Sequence, residues 1–282
     1  MKRILVPLLG DAGDRPALDL AATVARRRGA HIDAMLFRRD PRDMIPLVGE
    51  GFNAAMIESI VEAAEEQANA REKAARATYA DWRKATGMSD DAAASRPSAS
   101  FSEVTSQLPG AIARPARAAD LTVFARTKAE DGQERAGLIE VAMFDSGRPV
   151  LLAGATPSGE VGRRVVIGWN GSAEAASAVA MAMPLLAGAD AVTVVVVDDG
   201  KSTDSPDDLV RTLTLWGIAA TGRKVQVSKD GVTATLEAEA AAANADMILL
   251  GAYSHSRLRE FVMGGVTDDA LTQASITMML AR

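Results

Sequence analysis

Two tandem five-stranded parallel sheets, each with helices on both faces in a Rossmann-like α/β domain, are the architecture this sequence predicts. Three observations predict it. The chain has 282 residues, near the length at which a single hydrophobic core stops growing, so two units of about 140 residues are expected. It also repeats itself. Lys2 to Gly10 falls on Arg163 to Gly171, and the same frame, without a gap, sets Ala17 on Ala178, Ala21 on Ala182 and the apolar stretch after His31 on Val192 to Val197. A second match sets Ala119 to Phe124 on Ala245 to Leu250, and similarity of this extent marks duplication of a whole domain. Third, within each half short β-branched runs alternate with helical patterns, as in a parallel sheet covered on both faces.

The elements follow in order. A first strand is expected near 3–8, and Asp14 is placed to cap the helix after it. A strand near 31–37 leads to the longest helical pattern, in which Met56, Ile60, Ala64 and Ala68 form one stripe that Tyr79 and Trp82 extend. Glu62, Glu65, Glu66, Arg71, Glu72 and Lys73 lie off the stripe, so it reads as an enlarged crossover helix with a solvated outer face. Ser89 to Pro97 breaks it. Strands near 99–105 and 120–125 follow, then a helix that ends in Met143 to Gly147 before Pro149, and a fifth strand near 149–153. Gly154 to Gly162, punctuated by glycine and proline, is the linker. This sets the domains at 1–154 and 163–282. In the second half strands are expected near 164–169, 191–198, 222–228, 246–251 and 276–281, with Ser172 capping the first helix. The run Val192 to Val197 fits a strand buried on both sides.

Composition excludes several classes. Hydrophobic residues at 48% and charged residues at 24% describe ordinary globular packing. A net charge of -6 argues against a nucleic-acid surface, although Arg26, Arg27 and Arg28 make a local basic patch. Cysteine is absent, which removes disulfides and thiolate metal sites and suits a reducing cytoplasm. No apolar run approaches the ~18 residues of a membrane helix, and the apolar start before Gly10 is too short for a signal segment. A cytoplasmic protein, with neither nucleic acid nor membrane as partner, is the expectation.

In an open parallel sheet, ligands bind beyond the carboxyl ends of the strands where the strand order reverses. In the second half this directs attention to Trp169, Asn170, Gly171 and Ser172 after the first strand, and to Gly251 through Thr267 after the fourth. Gly264 and Gly265, ahead of a helix starting near Thr267, would let backbone amides approach an anion, and Arg257 and Arg259 carry countercharge. A tight loop needing positive φ explains the same glycines without a ligand.

A strand followed by Asn170-Gly171-Ser172, the duplicated five-stranded unit and the span from Gly251 to Thr267 resemble the universal stress protein family, over essentially the whole chain. The resemblance implies an adenine-nucleotide α hydrolase-like fold and an intrachain pseudo-dimer joined through the fifth strands, Val150 to Leu152 against Ile276 to Leu280. It also implies a stress-response sensor or regulator acting through protein partners, with a homodimer of the pseudo-dimeric chain as a further expectation. Nucleotide-binding members carry G-x2-G-x9-G-[S/T] after the fourth strand. Here Gly251 and Gly264 match the first and third glycines with spacing kept, Ser254 replaces the second glycine, and Gly265 stands at the hydroxyl position. Thr267 offers a hydroxyl two residues on, Asn170 stands for the adenine-contacting aspartate, and Val195 in the second strand joins the candidate contacts. ATP or a related adenine nucleotide is the implied ligand of the second half. In the first half Leu9 takes the aspartate position and Ala125 to Lys128 replaces the glycine-rich start, so no nucleotide is expected there.

Other chemistry is weaker. Asp11 and Asp14 suggest a cation but read first as a turn leading into a capped helix, and Asp198-Asp199-Gly200 reads as a turn. His31 and His255 are too far apart in sequence for ligand spacing, so no metal site is expected. Ser254-His255-Ser256 lacks a G-x-S-x-G context. No S-G-G-x-D-S, H-x-G-H or G-x-x-x-x-G-K-[S/T] signature occurs, which sets a binding role above catalysis. A slow ATPase of the same fold and an interaction protein with no nucleotide bound are the alternatives.

Overall fold

A computed structural model describes residues 1–39, 54–91, 97–106, 110–126, 132–154, 159–198, 200, 204–251 and 276–282. The first half runs β1 (Arg3–Leu8), α1 (Asp14–Arg28), β2 (His31–Arg39), α2 (Ala54–Thr86), β3 (Ser98–Ser106), α3 (Ala113–Ala118), β4 (Leu121–Phe124), α4 (Gly132–Phe144) and β5 (Val150–Leu152). The second runs β6 (Arg164–Gly168), α5 (Ala173–Leu186), β7 (Ala191–Asp198), α6 (Asp207–Leu215), β8 (Ala220–Gln226), α7 (Gly231–Ala242), β9 (Met247–Gly251) and β10 (Thr277–Ala281). All ten expected strands are present. The eighth begins two residues ahead of its expected start, because Ala220 and Thr221 already pair with Val192 and Thr193.

The ten strands form one sheet in the order β3-β2-β1-β4-β5-β10-β9-β6-β7-β8. Each half therefore has the same order. Pairing is parallel within a half and antiparallel only at the join, where Leu152, Leu151 and Val150 face Met278, Met279 and Leu280. The fifth strands meet as expected, and two edges that would stand unpaired in isolated halves cover each other. Strand alternation supplies two core layers. Ile4, Val6, Leu8, Val165 and Ile167 lie in one with Leu151 and Met279, while Leu5, Val166, Val150, Leu152 and Met278 lie in the other. Both layers run through the join.

The repeat is also visible in polar contacts. Asp120 accepts the amides of Lys2 and Arg3, at 2.5 and 3.0 Å, and Asp246 accepts those of Arg163 and Arg164, each at 2.9 Å. Each aspartate pins the start of its half's first strand. Burial works against the Asp120 carboxylate, but the two amides and the chain's own amino terminus outweigh it and hold the pKa below the ordinary value.

Two helices differ from the sequence expectation. Asp14 does not cap α1; it is the first helical residue, fully buried, and its carboxylate reaches back to the Leu9 and Gly10 amides at 3.0 and 2.8 Å. The inner face of α2 is buried only at Ala75, Tyr79 and Trp82, whereas Ile60, Ala64 and Ala68 are half-buried and Met56 is exposed. The reason is length: 33 residues extend about 50 Å as helix, well past strands of nine residues.

An asymmetric contact joins the halves. Arg27, in the last turn of α1, donates to the carbonyls of Val161 at 2.7 Å and Leu185 at 3.3 Å, and to that of Gly188. It thus ties the carbonyls of Val161, ahead of β6, and of Gly188, just past α5, to the first half, and adds a second donor at the Leu185 carbonyl, which also accepts the Gly188 amide at 3.3 Å. In the repeat frame position 188 is the counterpart of position 27. Glycine there leaves room, since a Cβ on Gly188 would lie 3.0 Å from the Arg27 Nη2. Arg27→Ala is expected to lose about 1.5–3 kcal/mol in urea unfolding. Arg27→Lys should recover little, because one ammonium cannot span three carbonyls. Wild-type stability in Arg27→Ala would show that the contact is idle.

Candidate functional site

In both halves the chain runs out from a central strand in two directions. This puts switch points between β1 and β4 and between β6 and β9. In the second half the described rim consists of Trp169 to Ser172, Asp198, Gly200, Asp204 and Gly251. The Trp169 amide donates to the Val195 carbonyl at 2.8 Å, which closes the sheet under the loop. Asn170 and Gly171 are exposed at the mouth. The Asn170 Oδ1 accepts the Ser172 amide at 3.3 Å in an Asx turn, and Ser172 caps α5 as expected, accepting from the Ala175 amide at 3.1 Å. Gly171 has φ +66, and a Cβ there would stand 2.7 Å from the Asp204 Oδ1, so the turn brings a carboxylate of the next connection against its own backbone.

Gly251 closes β9 against α5. A Cβ would lie 2.4 Å from the Ala175 nitrogen and 2.6 Å from the Glu174 carbonyl carbon. This motif position therefore has a packing reason that needs no phosphate. Val195 sits inside β7, fully buried, with its carbonyl taken by Trp169; the strand reaches the rim only at Asp198. Asp198 makes the expected turn, accepting the Gly200 amide at 2.9 Å, and lies 3.4 Å from Lys224. That amide, first, and Lys224 hold its carboxyl below the ordinary range despite some desolvation. Ser254, Gly264, Gly265 and Thr267 lie outside the described residues, as do His255, Arg257 and Arg259. Of the nine candidate contacts, the structure brings Asn170, Gly171, Ser172 and Gly251 to one rim.

The corresponding place in the first half is lined differently. Asp11 accepts the Gly13 amide at 2.8 Å and receives Arg135 of α4, whose guanidinium is fully buried and lies 3.6 Å from Asp14. Burial pushes the Asp14 carboxyl up, opposed by the Leu9 amide and Arg135. Arg126, just past β4, is pulled below its usual value by burial and faces Glu237 of α7 in the other half. Burial likewise pushes the Glu237 carboxyl up against the pull of Arg126. The sequence marks Arg27 only as one of a basic triplet and does not mark the partners of Arg126, Arg135 or Glu237, since each acts on a group remote in the chain. His31 is bonded to Ser98 at 2.8 Å and Ser100 at 3.0 Å at the amino ends of β2 and β3, the opposite end of the strands from the switch points. Among the described residues no acidic or histidine cluster is arranged to hold a metal, and no helix is long and apolar enough to cross a membrane.

Comparison with known proteins agrees with this architecture. The model of the Universal stress protein family matches residues 162–282. Among solved structures, a universal stress protein from Archaeoglobus fulgidus DSM 4304 is similar with TM-score 0.63 at 14% identity, over 99% of this chain and 96% of that one. A putative universal stress protein from Pseudomonas aeruginosa UCBPP-PA14 is similar with TM-score 0.50 at 13% identity, over 100% of this chain and 93% of that one. At these identities the likeness is one of fold. No protein of curated function matches the sequence.

Proposed function

We propose that the chain, whose residues 162–282 match the model of the universal stress protein family and whose first half repeats the strand order of the second, is a cytoplasmic stress-response regulator. In this reading it senses ATP or a related adenine nucleotide through its second half and acts through protein partners. The domains are 1–154, a degenerate structural partner, and 163–282, the ligand-bearing half. One observation carries the reading. Gly251 ends β9 beside the switch point where Asn170, Gly171 and the amino end of α5 form the other wall, and in the sequence Gly264 follows it at the spacing of the family's motif. Helix amino ends and glycine loops favour anions. In this reading the role is binding and signalling, with a slow ATPase of the same fold as the alternative.

Equilibrium titration of the full chain with ATP is expected to give one site per chain. Two equivalent sites would overturn the assignment to the second half. No binding at millimolar ATP would leave an interaction protein without nucleotide, and product release on the time scale of binding would favour the slow ATPase.

A further inference from the structure

The switch point of the first half is filled by the chain itself. The loop between β1 and α1 is a finished structure without α4: Asp11 holds the Gly13 amide at 2.8 Å, and Asp14 holds the Leu9 and Gly10 amides at 3.0 and 2.8 Å. Two carboxylates are thereby fixed side by side, Asp14 with no exposed surface. Into this acidic pocket α4 inserts Arg135, whose Nη2 donates to the Asp11 Oδ1 and stands 3.6 Å from the Asp14 Oδ1. The fit is close. A Cβ on Gly13 would lie 2.7 Å from the Arg135 Nη2, and one on Gly10 would lie 2.2 Å from the Arg71 carbonyl oxygen of α2.

The pairing is one-sided. The loop carboxylates have amide partners of their own, yet the Nε and Nη1 of the buried guanidinium have no hydrogen-bond partner among the described residues. A guanidinium carries five donors, and a buried ion pair built for stability satisfies them. Here the loop is the satisfied member and the arginine is the insert. We propose that the β1–α1 loop is a built guanidinium-binding site whose resident ligand is Arg135 of the same chain, and that this tethered cation closes the first half to any other ligand. An anion meets two carboxylates, and a free cation finds the place taken. The asymmetry between the halves is then an active closure and not simple loss of a motif.

The test is Arg135→Ala in the full chain, melted with and without about 10 mM methylguanidinium. Removing the cation leaves two neighbouring carboxylates with their amide partners but without a countercharge, so the variant melts lower than wild type. Methylguanidinium should raise its melting temperature saturably, by about 3 °C or more, while wild type gains nothing and an equal concentration of urea does nothing for either. If Arg135→Ala fails to fold alone, the yield of folded protein on refolding with methylguanidinium is the readout. The double variant Asp11→Asn/Arg135→Ala keeps an oxygen for the Gly13 amide and should fold and lose the response. A response no larger in Arg135→Ala than in wild type overturns the proposal, and so does one that survives Asp11→Asn.

Discussion

Gly251→Ala is expected to destabilise the protein by about 3 kcal/mol or more in urea unfolding, far beyond the usual cost of adding one methyl at a surface strand end. The added Cβ would stand 2.4 Å from the Ala175 nitrogen and 2.6 Å from its Cα. These are backbone atoms of a helix that is itself capped by Ser172, so neither side can yield by rotating a side chain. Gly87→Ala is the matched comparison. Its φ of +66 strains any side chain, but nothing lies within 4 Å, so about 1 kcal/mol is expected. A Gly251→Ala protein as stable as wild type would mean that β9 and α5 do not approach this closely. The prediction also bears on function. Loss of nucleotide binding at Gly251 would be confounded with loss of fold, so this glycine, although it heads the motif, cannot test the site.

The order of elements was legible because it depends on local pattern. β-branched runs of five to nine residues, caps and glycine stops set the strands and helices, and the register of Lys2 on Arg163 made one half predict the other. The join of Val150 to Leu152 with the last strand was expected from the resemblance and from both being apolar edges, while its antiparallel sense is read from the structure. Tertiary partnerships were not legible. Asp14 looks like a cap because aspartate before a helical run usually is one, and only the fold reveals that Leu9 and Gly10 are its partners. Arg135 is an ordinary residue of a helical pattern until α4 is docked on the β1–α1 loop. Arg27 belongs to a basic triplet that charge alone would assign to solvent. At the candidate site, Asn170 and Ser172 could be placed at the rim from sequence, since turn and cap chemistry fix their backbone. Val195 could not, because where the second strand ends relative to the first depends on register, which here carries the chain to Asp198 before it opens at the rim.

Gly264→Val is expected to abolish the stabilisation by ATP while leaving the unliganded protein near wild-type stability. At ATP about 100-fold above its dissociation constant, linkage adds ~2.7 kcal/mol to a single-site protein, or about 2–4 °C of melting temperature for each kcal/mol. A β-branched side chain at the third motif glycine would stand where an anion must approach backbone amides, so that gain disappears. The control is Gly147→Ala in the first half. Gly147 has φ +65 with nothing within 4 Å of its Cβ position, so the variant should lose about 1 kcal/mol from backbone strain alone. Its response to ATP should equal that of wild type, because the difference between melts with and without ligand cancels the strain. The two variants thus separate the effects: one keeps stability and loses the response, the other loses stability and keeps the response. If Gly264→Val gains as much from ATP as wild type, the nucleotide does not sit on this loop. If wild type gains nothing at millimolar ATP, the alternative of an interaction protein with no nucleotide bound takes its place.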